Sequence, residues 1–377
     1  MNHRTAPRRL LVLLVMLAAA AALAPTGSTA ADTGAQRSAT IPTSADRVAG
    51  YAANPRNPLA HGSWGVYTGS ADGVYPAYEK ATGTTRALLA KVALRSRVRW
   101  FGSWMSASEA GAKIRDYIAT TQDGDPDVLV PMAVFRLWPE GEGAKRKPLT
   151  SADLAAYRHW VDTAAAAIGG SRVAMVLEPD LAVALTGWRP RVRQRLTAYA
   201  ASVFGRLPRT SVYIDASDSD WLTVDRARDM LIRSGIRYVR GFALGATHYS
   251  GTAANIRYGR KVVGALARAG VGGRHFVIDT ADNGRPFTWL QYWAAHPKGD
   301  FDNAETCRTR AERRCDTLGI PPTWQVASSR WGLPARLLPA ARRHVDGYLW
   351  FGRPWLYRQA SPFLLDRTLQ VARTTRF

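Results

Sequence analysis

Short runs rich in β-branched and aromatic residues recur along this chain at 63–67, 98–101, 128–135, 172–177, 211–214, 236–244, 275–278 and 348–351. Between them lie segments whose apolar residues return at three- and four-residue spacing, as Leu154, Tyr157, Val161 and Ala164 do, which predicts helices. Helices are expected at 84–95, 151–168, 191–206, 224–234 and 253–268, with Ser151 as an N-cap and Gly169-Gly170 as a stop for the second. Most successive runs start about 30 to 40 residues apart, the spacing of βα units joined by right-handed crossovers. An open doubly wound sheet usually needs fewer strands than this. The reading is therefore α/β, a single distorted (β/α) barrel of seven to eight parallel strands. The last crossover, 280–345, is the longest and holds both cysteines, the place where substrate-binding loops usually grow on such a barrel.

The chain has 377 residues, 46% of them hydrophobic, enough to bury a large core. Arg4, Arg8 and Arg9 precede an apolar stretch at 10–24, then Pro25 and the small residues Ser28-Thr29-Ala30. This pattern predicts a secretory signal peptide over 1–30, too short and wrongly flanked for a membrane span. A flexible leader is read at 31–50 and the barrel domain at 51–377. The expectation is a secreted, extracellular monomer with no membrane association after cleavage. In such a compartment Cys307 and Cys315 are read as a local disulfide, the alternative being two buried thiols.

Net charge is +22, from 51 Lys and Arg against 29 Asp and Glu. Two readings stand: association with an anionic cell-wall polymer, or arginines scattered over a solvated surface. The clusters at 189–195 and 308–314 are separate and lack interleaved aromatics, so no nucleic-acid partner is expected.

Active sites of β/α barrels lie at the carboxyl ends of the strands. The run 172–177 ends in Glu178-Pro-Asp180, where the proline lacks an N–H, drives Glu178 toward an extended conformation and presents Asp180 on a rigid turn. The other strand ends carry Trp104, Trp138, Glu140, Glu142, Asp215, Asp218, Trp221, His248, Asp279, Arg353 and Trp355. Carboxylates converging with tryptophans is the set a glycosidase needs: one acid for the leaving oxygen, one group to activate water, and indole faces for sugar rings. No histidine pair has metal-ligand spacing, so neither metal nor cofactor is expected, and His248 is read as a hydrogen-bonding residue. Trp100, Trp350 and Tyr213 also fit a core role, Asp215 and Asp279 a loop-holding role, and Glu140 and Glu142 surface pairing with Lys145-Arg146-Lys147.

These residues resemble glycoside hydrolase family 6, inverting β-1,4-glucanases on a distorted barrel. Asn57-Pro-Leu-Ala60 with Trp64, Val176-Leu-Glu-Pro-Asp180, Val212-Tyr-Ile-Asp-Ala216 with Trp221, Gly241-Phe-Ala-Leu244 with Tyr249, Asp279-Thr with Asn283-Gly284, and Tyr348-Leu-Trp350 follow the family's blocks in order. The resemblance implies hydrolysis of a β-glucan polysaccharide without cofactor, and it keeps Asp180 in register. Elsewhere the chain departs from the pattern. Gly141 stands at the family's general acid with Glu140 and Glu142 beside it, Gly102 replaces a supporting aspartate, and 351–358 holds no carboxylate where the base region is expected. Asp218 replaces a histidine, His248 an asparagine and Arg353 a lysine. Candidate catalytic residues are Asp180, Glu140, Glu142 and Asp218; candidate sugar-binding residues are Trp64, Trp100, Trp221, His248, Arg353 and Trp355. The alternatives are a cleft that binds glycan or cell-wall polymer without cleaving it, and one that cuts an anionic sugar.

Overall fold

The computed structural model describes residues 55–137, 147–184 and 186–377. Seven parallel strands, β1 (Arg99–Gly102), β2 (Val130–Phe135), β3 (Val173–Leu177), β4 (Thr210–Asp215), β5 (Gly241–Leu244), β6 (His275–Asp279) and β7 (Val345–Leu349), pair in sequence order. Among the described residues there is no ladder between β7 and β1. One parallel bridge, Arg97 to Trp350, joins those edges, with the Val98 N–H donating to the Trp350 carbonyl at 2.9 Å. The barrel is thus closed by a seam rather than by an eighth strand. The run at 63–67 contributes only a bridge from Trp64 to Leu129, just before β2.

Alternation along the strands separates two apolar sets, as the two-residue period of a strand requires. Ala133, Ala174, Val176, Tyr213, Ala243, Val277 and Leu349 fill the barrel interior, where small residues fit the curvature. Their neighbours Met132, Val134, Met175, Val212, Phe242, Phe276 and Tyr348 face outward with Ile114, Trp160 and Leu196 of the surrounding helices. The helix Ser151–Ile168 has the expected bounds, but its cap is Thr150: its side chain accepts from the Asp153 N–H, while Asp153 accepts from the Thr150 N–H. The run 236–244 divides into a 3-10 turn, Ile236–Tyr238, and β5. No side chain fits at Gly241, because a Cβ would run into the His275 carbonyl on β6.

The crossover between β6 and β7 is long, as expected, and carries the short helices Trp289–Ala295 and Leu338–His344. Cys307 and Cys315 form the disulfide within it. Among the described residues no helix is long and apolar enough to cross a membrane.

Candidate active site

The carboxyl-terminal mouth of the barrel is built on strained turns. Glu178, Asp180, Ser217 and Thr247 all have positive φ, at 51°, 63°, 70° and 55°. Non-glycine residues held there cost about 1–3 kcal/mol each and concentrate at functional sites. Glu178 is therefore left-handed, not extended as its place before Pro179 predicted; its contacts explain why. Fully buried, it accepts hydrogen bonds from the Arg136 and Leu137 N–H groups at 3.1 and 2.9 Å and from the Tyr157 hydroxyl at 2.6 Å. Three donors converging on one carboxyl fix the backbone that carries it.

Burial pushes the Glu178 carboxyl up to about 7, against the pull of those three hydrogen bonds. A raised folded-state value means that the folded chain holds the proton more tightly than the unfolded chain does, so this contribution to stability is full below pH 4.5 and declines as pH rises through 7. In Glu178→Gln the amide oxygen can still accept from the backbone, and the decline disappears. Melting temperatures at pH 5 and pH 8 should show the variant gaining on the wild type at the higher pH; an equal gap at both values would contradict the assignment.

Arg193, fully buried, reaches the Leu137 carbonyl at 3.1 Å and the Lys147 carbonyl at 3.5 Å. Together with Glu178 it holds the residues that flank 138–146 on either side. Glu140, Glu142 and Trp138 lie within 138–146, outside the described residues.

Asp180 projects from the turn after β3 into a cavity of about 750 Å³ that it lines with Trp100, Trp104, Phe135, Thr247 and Arg353. Trp104 is 56% exposed and offers a free indole face. Trp100 is largely buried, its Nε1 donating to the Phe351 carbonyl at 2.8 Å, and the Arg353 guanidinium stacks 4.1 Å over its ring. Burial lowers Arg353 to about 9, and the negative charges of Asp180 and Asp279 oppose that fall. Asp215, at the end of β4, is pushed well up by burial and then by the Asp180 charge. Asp279 takes the loop-holding role: it accepts from the Ala281 and Phe351 N–H groups at 3.0 and 3.3 Å and from the Gly352 N–H, tying β6 to the segment that carries Arg353.

A second aromatic group lies over the loops after β4 and β5. His248 stacks between Trp221 at 5.2 Å and Trp289 at 6.3 Å, with Phe301 edge-on at 5.1 Å. Both tryptophans are 43% exposed. Asp218 lies beneath, fully buried. Burial works against a charged His248, but Asp220, Asp218 and Asp180 outweigh it and raise the ring to about 9.

Of the other tryptophans read as sugar platforms, Trp64 sits elsewhere, while Trp355 borders the Asp180 cavity with almost no exposed surface. Trp64 pairs with Leu129 ahead of β2, at the amino-terminal end of the barrel and the opposite mouth from Asp180, its Nε1 bonded to the Leu59 carbonyl at 3.0 Å. Trp355 is 1% exposed, packed against Trp350, because the turn after β7 folds it inward. Trp104 stands in the strand-end set but not among the candidate sugar-binding residues, and Trp289 stands in neither. Trp104 carried a signal, since it follows β1 by two residues; Trp289, inside the long crossover, carried none.

A parallel barrel whose carboxyl-terminal mouth gathers a carboxylate, an arginine and exposed tryptophans has the build of a glycoside hydrolase barrel. The family model for glycosyl hydrolases family 6 matches residues 66–329, and the chain belongs to that family. Endoglucanase A of Cellulomonas fimi is 35% identical over 224 residues, 58% of this chain and 47% of that protein. Endoglucanase 1 of Streptomyces halstedii is 30% identical over 208 residues, 54% of this chain and 63% of that one. The chain thus spans less than two thirds of the length of either relative. Among solved structures, an endoglucanase from Mycobacterium tuberculosis in complex with methyl-cellobiosyl-4-deoxy-4-thio-β-D-cellobioside shares the fold with a TM-score of 0.67 at 24% identity, over 85% of this chain and 99% of that one.

Proposed function

We propose that this chain is an exported glycoside hydrolase that cleaves β-1,4-linked glucan with inversion, using carboxyl groups and no cofactor. One observation carries the reading: Asp180, the acidic group presented by β3, faces a tryptophan-lined cleft in a chain of this family. Inversion needs one carboxylic acid to protonate the leaving oxygen and one carboxylate to activate water from the opposite face of the ring. Asp180 is the carboxylate in this scheme. Glu140 or Glu142 supplies the proton, from a segment whose flanking residues Arg193 and Glu178 hold. Asp218, fully buried, is the other carboxylate that could activate water, and Asp180 is preferred because it lines the cleft. Trp104 and Trp221 are exposed enough to stack on sugar rings, while Trp100 positions Arg353.

The anionic-polymer partner has one local support, a cavity of about 650 Å³ lined by Arg189, Arg191, Arg195, Arg226 and Arg233. Export is supported by the 1–30 pattern and is consistent with the Cys307–Cys315 disulfide.

The test is reducing-sugar release from a panel of β-glucans and acidic polysaccharides, with the anomer of the product followed by NMR. Release from β-1,4-glucan with inverted configuration is expected. No release from any polymer, with glycan binding that is lost in Trp221→Ala, would make the chain a sugar-binding protein instead.

A further inference from the structure

Beneath Trp221 three side chains from two loops converge with incomplete sets of partners. Asp218 is 0% exposed; its Oδ1 takes the Ser219 N–H and hydroxyl, while its Oδ2 makes no hydrogen bond. Asp220 accepts the Trp289 N–H at 2.6 Å on one oxygen, and its other oxygen, Oδ1, makes none. His248 is 7% exposed and its Nδ1 makes none either, lying 3.8 Å from Asp220 Oδ1, beyond hydrogen-bond reach. One ligand atom from each of the three lies within 4.8 Å of the others. Ser250, 3% exposed, lies beside both carboxylates, and its hydroxyl oxygen is the fourth in this group without a hydrogen bond of ordinary geometry.

Buried polar atoms are seldom left without partners, and four together around one point call for a common one. A ligating imidazole is neutral, so in the metal-bound form the cluster carries two negative charges, and among the described residues the one ion-pair contact to either carboxylate is His248 itself. A divalent ion balances that charge. One imidazole nitrogen with two carboxylate oxygens suits zinc and its first-row neighbours, whereas calcium and magnesium favour all-oxygen sets. The stacking of His248 between Trp221 and Trp289 holds the ring in place, as a ligating imidazole requires.

We propose that Asp218, Asp220 and His248 bind a divalent transition-metal ion of the zinc class, with Ser250 beside it. The ion ties the loop after β4 to the loop after β5 and fixes the aromatic shelf of Trp221 and Trp289 above them. This site is distinct from the carboxylate chemistry of Asp180.

The full chain, stripped of metal with a chelator and desalted, is titrated calorimetrically with zinc and separately with calcium, and with cobalt while tryptophan fluorescence is followed. One zinc per chain is expected, with no calcium uptake and with cobalt quenching fluorescence through Trp221 and Trp289. Loss of an outer-sphere partner alone costs about 10–100-fold in metal affinity, so His248→Gln and Asp220→Ala should each weaken zinc binding by more than about 100-fold. Absence of zinc uptake, equal uptake of calcium, or absence of cobalt quenching in the wild type would each overturn the proposal, whatever the fate of the variants. So would zinc uptake that survives both variants, which would move the ion to other histidines such as the neighbouring His275 and His344.

Discussion

Asp180→Asn is expected to lower hydrolysis of β-1,4-glucan by about 10²–10⁴-fold, the usual contribution of a positioned acid or base, while the fold and glycan binding survive. Asparagine is nearly the same size, and it tolerates the left-handed backbone at φ 63° at least as well as aspartate, so the turn after β3 is not strained further. What the amide cannot do is take a proton from water. Kinetics should therefore show the loss in kcat with KM little changed, because the aromatic contacts to the sugar remain. The pH profile carries a second signature: the Asp215 carboxyl, pushed up by burial and by the Asp180 charge, should titrate at lower pH once that charge is gone. Unchanged kcat in the variant would remove Asp180 from the chemistry. A parallel loss of binding and of melting temperature would make it a structural residue.

The barrel was legible in the sequence because its strands are buried on both faces and read as continuous apolar runs set apart by amphipathic helices. β3 and the helix Ser151–Ile168 were placed to within a residue. The errors arise where one local pattern serves two structures. The run at 63–67 has strand composition, but it pairs strand-wise at Trp64 with Leu129 alone, so it makes a bridge and no ladder. The run at 236–244 hides a 3-10 turn because its apolar residues face the same core in either conformation. Trp64 and Trp355 were read from chain position beside strands, and chain position does not say which mouth of a barrel a ring occupies, or whether it turns inward. At Glu178 the rule for a residue preceding proline yielded to three convergent hydrogen bonds, a tertiary effect no local reading contains. The convergence of His248 with Asp218 and Asp220 joins two loops about thirty residues apart along the chain, the ordinary spacing of neighbouring βα units, and fixed-spacing motifs cannot see it.

At the opposite mouth from Asp180, replacing Asp346 by alanine is expected to destabilise the chain by about 3–5 kcal/mol, the range for breaking a buried ion pair by removing one partner. Asp346 on β7 is 1% exposed. It accepts from Arg240 Nε and Nη2 at 2.7 and 2.9 Å and from the Tyr213 hydroxyl at 2.8 Å, with His275 Nδ1 at 3.3 Å. Strand register puts Tyr213, Gly241 and His275 side by side on β4, β5 and β6, so this one carboxylate braces four neighbouring strands in a single layer. Arg240 is itself fully buried, and in Asp346→Ala its guanidinium loses this bidentate partner. Removing both charges together, in Arg240→Met/Asp346→Leu, should cost less than the sum of the single changes, because no charge is then stranded. Burial would raise the Asp346 carboxyl, but the hydrogen bonds from Arg240 and His275 outweigh it and hold it below 3.8, so its contribution is present above that pH and is lost only as pH falls through the lower folded-state value. Denaturant unfolding at pH 7 measures the first effect, and the same experiment at pH 3 should narrow the gap between variant and wild type. A single variant within about 1 kcal/mol of the wild type, the scale of an ordinary surface ion pair, would mean that the strands hold their register without this layer, and that the barrel's rigidity beneath the Asp180 mouth comes from apolar packing alone.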